Sequence, residues 1–403
     1  MIVNYSAPTL KRRLDQTIGC SGDARFQSDT HGLSVEKKAE CLKNTLVISI
    51  VAPPCGSLNR MKSRTEPEYR ILFLTSFPRT PGGVTSYTKT LVEYCHRQGL
   101  ACDWYSMENF PVTRLLRAAA QILGKTLASI TRRNEQTVTW VLKVLTILLC
   151  MRLGLGLRRH AFDRIVCMDV VASCAVSPDV LIVHGAFSDE VARQVSKGYA
   201  FRFACIIESQ GYRSANRVVA VDPALEVRVR RFHGGRATMI PNPVDLSAFA
   251  IRDKDESKRR LGFGTGNKLI AFVGDLPEKF VEQISTWRNQ LEALGFATIH
   301  ISGISYEMMP IYYNAADIVV SMSRVVAFMR TAVEALACGT PIISNNSPLA
   351  VYSTPENLVE TVSTFVPSQS RDQLRLKALP FEASLICSRL MRVILNENWK
   401  PRT

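Results

Sequence analysis

From Tyr69 onward, short apolar runs alternate with segments of helical period. Ile71–Thr75 reads as a buried strand, Pro81-Gly82-Gly83 as a tight turn, and Ser86–Gln98 as a helix stopped at Gly99. Ala101–Tyr105 is the next strand, followed by two long helical stretches at about 112–130 and 137–153. Asp163–Met168, Val180–Val183 and Val218–Val221 are further apolar runs between helical segments. Strands that alternate with helices predict βαβ units and a parallel sheet. A second series opens at Leu269–Val273, and a last helix, about 381–396, follows Pro380. The polar, Pro-marked stretch from Pro241-Asn242-Pro243 to Asp255 reads as the linker between the two series. The pattern is therefore α/β, with two Rossmann-like domains.

The stretch Asp317–Pro341 carries the clearest candidate chemistry. The strand Ile318–Val320 leads through a loop into a helix bearing one acid, Glu334, which stops at Cys338-Gly339. Open α/β sheets bind ligands at the carboxyl ends of their strands. An acid near a helix start is more often a surface charge favoured by the helix dipole, and by itself Glu334 leaves both readings open. The Gly-rich LGFGTG at Leu261–Gly266 precedes its strand. A dinucleotide fingerprint follows its strand, so this segment is read as a loop.

Composition narrows the classes. The 403 residues suffice for about two domains. The eleven Cys are scattered without a C-x-x-C pair, which argues for reduced thiols and against a zinc site or disulfide framework. The net charge of +15 is uneven: Arg114–His160 holds nine Lys or Arg against one acid, Glu135. No recognition helix, zinc finger or RNP-type motif accompanies that charge, so nucleic acid is not expected as a partner. The same residues are interleaved with Leu, Ile, Val and Trp140. They read either as helices on an anionic membrane surface or as a solvated face over a core helix. The apolar stretch Val138–Leu157 is broken by Lys143 and Arg152 and falls short of a membrane span.

Residues 1–60 are polar, turn-rich and aperiodic apart from Thr45–Val51. Segment 1–68 is read as an extension, disordered or not native. Met61 opens MKSRTEPEYRILFLTSF, a short charged lead into a strand, and is the expected native start.

Five ordered segments together resemble the retaining nucleotide-sugar glycosyltransferases of family four, across about residues 70–396. They are FPRTPGGVTSYTKTLV (Phe77–Val92), VHGAFSDE (Val183–Glu190), ANRVVAVDPAL (Ala215–Leu225), MIPNPVDLSAF (Met239–Phe249), and YYNAADIVVSMS followed by TAVEALACGTPII. The resemblance implies the GT-B architecture, two Rossmann-like domains facing each other across a cleft. It places an acceptor-side domain at 69–243, a donor domain at 244–380, and a C-terminal helix, 381–403, crossing back to the first. It implies that a nucleoside-diphosphate sugar is the donor substrate, with no metal or other cofactor. Gly82 and Gly83 would let backbone approach the diphosphate closely. The backbone N–H groups of Met329, Arg330 and Thr331 would meet it at a helix start, and Lys279 matches the phosphate-binding lysine. Glu334 would accept from the ribose hydroxyls, and His184 would touch the transferred sugar.

The sequence departs from that pattern in three places. Val326 stands where the family has the first glutamate of a pair, Asp275 stands where an arginine is expected, and Lys279–Tyr312 is shorter by about one β-α unit. Arg324 or Arg330 is the candidate to restore the charge. The implied activity is sugar transfer with retention to a glycan or lipid-linked acceptor, in cell-surface polysaccharide synthesis at the inner face of the membrane. The competing readings are a catalytically degenerate member that binds nucleotide or glycan as a scaffold, and a basic membrane-surface adaptor.

Overall fold

The computed structural model describes residues 69–76, 83–110, 112–131, 135–156, 159–194, 198–233, 237–274, 278–322, 330–345 and 347–395. All of them lie in one compact unit, Glu66–Thr403. The extension 1–68 with its Met61 start, Gly82, Asp275, Arg324, Val326 and Met329 lie outside the described residues.

The first half runs β1 (Arg70–Leu74), α1 (Gly83–Arg97), β2 (Ala101–Tyr105), α2 (Val112–Thr131), α3 (Glu135–Gly156), β3 (Arg164–Cys167) and α4 (Val170–Val176). It continues with β4 (Val180–Val183), α5 (Phe187–Gln194), α6 (Tyr199–Ser214), β5 (Arg217–Ala220), α7 (Pro223–His233) and β6 (Ala237–Met239). The six strands form one parallel sheet in the order β2-β1-β3-β4-β5-β6. Ile71–Leu74 and Val180–Val183 are buried along their whole length, as expected of parallel strands covered on both faces. The order reverses between β1 and β3, which opens a crevice at their carboxyl ends.

The second half runs α8 (Lys254–Arg260), β7 (Leu269–Val273), α9 (Glu278–Ala293), β8 (Ala297–Ile301), α10 (Met309–Ala315), β9 (Ile318–Ser321) and α11 (Arg330–Ala337). Then come β10 (Ile342–Ser344), β11 (Val351–Tyr352), α12 (Leu358–Thr364), α13 (Arg371–Leu376) and α14 (Ala383–Leu395). Its parallel sheet is ordered β11-β10-β9-β7-β8, so the reversal falls between β7 and β9. The two sheets make the two-Rossmann α/β architecture.

The chain passes between the halves at two places that are bonded to each other. Val244 donates to the Phe381 carbonyl, and Ala383 donates to the Val244 carbonyl, both at 2.9 Å. Beyond that crossing, α14 packs Ile386, Cys387, Leu390, Met391, Ile394 and Leu395 into the core of the first sheet. Arg164 and Arg217 donate to the Ile394 and Val393 carbonyls, satisfying the helix end.

The basic segment folds into the antiparallel pair α2–α3. One face of α3 is core, with Val144, Ile147, Met151 and Leu155 buried in the first half's core. Its other face is not simply polar, because Leu145, Leu149 and Leu153 are exposed, as are Ile122 and Leu123 on α2. Glu135–Leu155 is long and apolar enough to cross a membrane by length and composition, which corrects the reading that Lys143 and Arg152 leave this stretch short of a span: two charges are too few to offset so many apolar residues.

Candidate functional site

Helix α1 is the next described element after β1. Gly83 heads it, and a Cβ there would meet nothing within 4 Å, so the approach is open. One turn later comes Tyr87, 1% exposed. The segment at the end of β1 is fixed by Asp169, which caps α4. Ser76 donates to Asp169 through both its N–H and its hydroxyl, each at 2.7 Å. Burial pushes the Asp169 carboxyl up despite those donors.

His184 stands one residue past β4, and its ring meets Tyr87 edge-on at 4.5 Å. The segment after it is held by Glu208 on α6, 1% exposed. Glu208 accepts from the Ser188 N–H (2.8 Å), the Tyr212 hydroxyl (2.7 Å) and Arg228 Nε (2.6 Å). Burial works against the Glu208 charge, but Arg228, Ser188 and Tyr212 outweigh it and hold the carboxyl low.

From the second half, α11 presents Arg330 in its first turn and Glu334 one turn on. Arg330 Nε and Glu334 Oε1 are 2.8 Å apart, with side chains 12% and 6% exposed. The contact is an ion pair whose angle is not that of a hydrogen bond. Glu334 Oε2 accepts from the Tyr313 hydroxyl at 3.1 Å. The guanidinium lies over the Tyr306 ring, 4.6 Å from its centroid, and donates to the Tyr306 hydroxyl. Burial opposes the Arg330 charge, yet Glu334 and Tyr306 keep its pKa above the ordinary value. Thr331 lies beside the Tyr313 hydroxyl.

These pieces converge. Burial pushes the His184 pKa down to about 4, and the Arg330 charge adds to that, while Asn242 acts in the opposite sense. Burial also raises Tyr87, with Arg330 again acting on it. Tyr87 Oη, His184 Nε2, Asn242 Oδ1 and Arg330 Nη1 are all buried without a hydrogen-bond partner. Buried polar atoms are almost always paired. Here, orphaned atoms from α1, the end of β4, the linker and α11 gather at the carboxyl ends of both sheets. The arrangement leaves one guanidinium nitrogen of the Arg330–Glu334 ion pair, an imidazole nitrogen and a phenol for a polar ligand to pair.

The structure thus brings together His184, Arg330 and Glu334, with Thr331 next to Arg330 on α11; Gly83 lies one turn before Tyr87 on α1, with open space around it. Lys279 lies in the first turn of α9, near the end of β7. The sequence reading missed Tyr87, Asn242, Tyr306 and Tyr313. A signal existed for two of them: Tyr87 follows Gly83 by one helical turn, and Asn242 stands between two prolines in the linker.

Residues 81–248 match the family model for glycosyltransferase family 4, and residues 272–354 match that for glycosyl transferases group 1. The chain belongs to these glycosyltransferases. It is 27% identical over 184 residues to a D-inositol 3-phosphate glycosyltransferase of Geodermatophilus obscurus, covering 36% of this chain and 41% of that relative. In fold it is similar to sucrose-phosphate synthase from Thermosynechococcus elongatus, with TM-score 0.55 and 14% identity over 81% of this chain and 98% of that one. It is equally similar to WaaG, a glycosyltransferase involved in lipopolysaccharide biosynthesis, with TM-score 0.55 and 12% identity over 80% and 99%. HepE of Anabaena, solved in complex with UDP, gives TM-score 0.54 and 14% identity over 80% and 98%.

Proposed function

We propose that this glycosyltransferase moves a sugar from a nucleoside-diphosphate donor to a glycan or lipid-linked acceptor with retention of configuration. The observation that carries the reading is the gathering of orphaned buried polar atoms from both sheets around His184 and Arg330. The diphosphate lies against the start of α11, at the N–H groups of Arg330 and Thr331, and Gly83 and Lys279 serve it as well, while Gly82 and Met329, assigned to the same role, lie outside the described residues. Glu334 accepts from the ribose, and His184 touches the sugar. The bond from the anomeric carbon to the diphosphate oxygen breaks. The acceptor oxygen joins that carbon on the same face and passes its proton to the leaving phosphate. The protein orients the partners and stabilises the charge on the diphosphate, without a metal.

The acceptor site belongs to the first half, where α2 and α3 give it a membrane face. Leu145, Leu149 and Leu153 recur on one side of α3, with Arg152 exposed beside them. Exposed leucines with a basic bias suit an anionic lipid surface. The enzyme then works in the cytoplasm, peripheral on the inner face of the membrane, in cell-surface polysaccharide synthesis. A binding-only scaffold is favoured by one observation: Glu334, the ribose acid, is already engaged by Arg330 and Tyr313.

The test is calorimetry of the full chain with UDP-, GDP-, ADP- and TDP-sugars, followed by turnover with the donor that binds. Selective binding lost in Glu334→Ala, and a product with the donor's anomeric configuration by NMR, is the expected result. Binding without turnover on any lipid-linked or glycan acceptor supports the scaffold, and no binding at all overturns both.

A further inference from the structure

Tyr87 lies on α1 one turn after Gly83 and is almost wholly buried. Its ring meets the His184 ring edge-on, with centroids 4.5 Å apart. Each ring carries one buried polar atom without a hydrogen-bond partner, Tyr87 Oη and His184 Nε2. A buried tyrosine ordinarily finds a partner for its hydroxyl. Packing alone does not call for that hydroxyl, since phenylalanine would keep the ring contact without leaving a polar atom unpaired. The buried carboxylates nearest in the fold are taken up elsewhere. Asp169 accepts from Ser76 and Ala172, and Glu208 from Ser188, Tyr212 and Arg228.

We propose that Tyr87 is a specificity-determining residue whose hydroxyl pairs with a ring hydroxyl of the transferred sugar, next to His184. This rests on the donor reading above, which assigns His184 to that sugar. A phenol can donate one hydrogen bond and accept another, as can a neutral imidazole. A sugar hydroxyl does both as well and is the matching partner. A diphosphate is better served by cations and by backbone N–H groups at a helix start. The nucleotide end of the donor is then held at α11, and the sugar is read by α1 and the end of β4. Discrimination follows from the same orphaned atom. A sugar lacking the hydroxyl leaves Tyr87 Oη buried and unpaired in the complex, and a site built to hydrogen-bond a hydroxyl rejects the analogue without it.

The experiment is calorimetry on the full chain with UDP and GDP alone, with UDP-glucose, UDP-galactose and GDP-mannose, and with the counterparts of each sugar that lack one ring hydroxyl. The expected result is that the bound hexose holds at least ~10-fold more tightly than one of its singly deoxygenated counterparts. Tyr87→Phe should bind the bare nucleotide as the wild type does and lose that one preference, while preferences at other hydroxyls persist. The ligand-free Tm of Tyr87→Phe should be no lower than that of the wild type, because the hydroxyl has no partner to lose. A lower Tm would show that the hydroxyl is bonded within the fold and would overturn the proposal. So would a wild type indifferent to every missing hydroxyl, or a Tyr87→Phe that keeps every preference or weakens bare nucleotide as much as sugar. The donor reading would stand in each of those cases. If neither bare nucleotides nor sugars bind the wild type, the donor reading itself fails and this inference falls with it.

Discussion

Arg330 and Glu334 lie one turn apart on α11 and form a 2.8 Å ion pair that is almost wholly buried. Such a pair adds little net stability, because desolvation offsets most of the attraction, but removing one partner strands the other. Arg330→Ala is therefore expected to destabilise the fold by about 3–5 kcal/mol. Arg330→Met/Glu334→Gln should cost clearly less than that single change. Urea unfolding of the single and double variants checks this. Equal losses in both would show that packing, not the stranded carboxylate, sets the cost.

His184 gives the second prediction. Its folded pKa is about 4, against 6.5 for the ordinary group, chiefly through burial and then through Arg330. Between those values the unfolded chain binds more protons than the folded one, so stability rises with pH across this window and is lost as pH falls below 6.5. A shift of that size corresponds to at most about 3 kcal/mol. His184→Gln should flatten this part of the pH–stability curve, and an NMR titration of the His184 ring should give a midpoint well below 6. A normal midpoint would mean that the ring is solvated.

Much of the fold was legible because parallel strands are buried on both faces. Val180–Val183 and Leu269–Val273 were read to the residue, since nothing but an apolar run satisfies such positions. The strands β6 and β11 were not picked out, being only Ala237–Met239 and Val351–Tyr352, too short to show a period. At the site, His184 and Glu334 were legible by their place after a strand and on a helix. The direction of Arg330 was not, because it depends on the Tyr306 ring and hydroxyl, whose approach to α11 sequence spacing does not encode. Asn242 looked like linker chemistry alone until the fold placed it beside His184.

Gly211 on α6 supplies a packing prediction. A Cβ there would meet the Val170 carbonyl at 2.6 Å and the Val170 Cβ at 2.9 Å on α4. The same contact lets Ser173 Oγ donate to the Gly211 carbonyl at 2.7 Å. Both partners are helix and strand-end core and cannot yield cheaply. Gly211→Ala removes a helix-weakening glycine, a gain of about 1 kcal/mol, but overpacking costs typically 1–3 kcal/mol. A net loss of up to about 2 kcal/mol is expected, with Gly211→Val far worse. Thermal unfolding decides it, and a stabilised Gly211→Ala would mean that α4 and α6 can part freely.

The exposed face of α3 gives the last prediction. Leu145, Leu149 and Leu153 are 45%, 53% and 64% exposed at helical spacing. Fully burying a leucine contributes roughly 1.5–3 kcal/mol, and each basic residue near an anionic surface about 1 kcal/mol. Two signals of this kind are what stable surface binding takes. Full-length protein should partition to vesicles containing phosphatidylserine or phosphatidylglycerol and release as salt rises toward 0.5 M, where screening shortens to a few ångströms. Leu145→Ser/Leu149→Ser/Leu153→Ser should abolish partitioning, and Arg152→Glu should weaken it several-fold, both without loss of thermal stability, since these side chains face outward. Equal partitioning to neutral and anionic vesicles would remove the electrostatic half of the argument. Unchanged partitioning of the triple variant would remove the apolar half and return α3 to a plain core helix with an unusually apolar outer face.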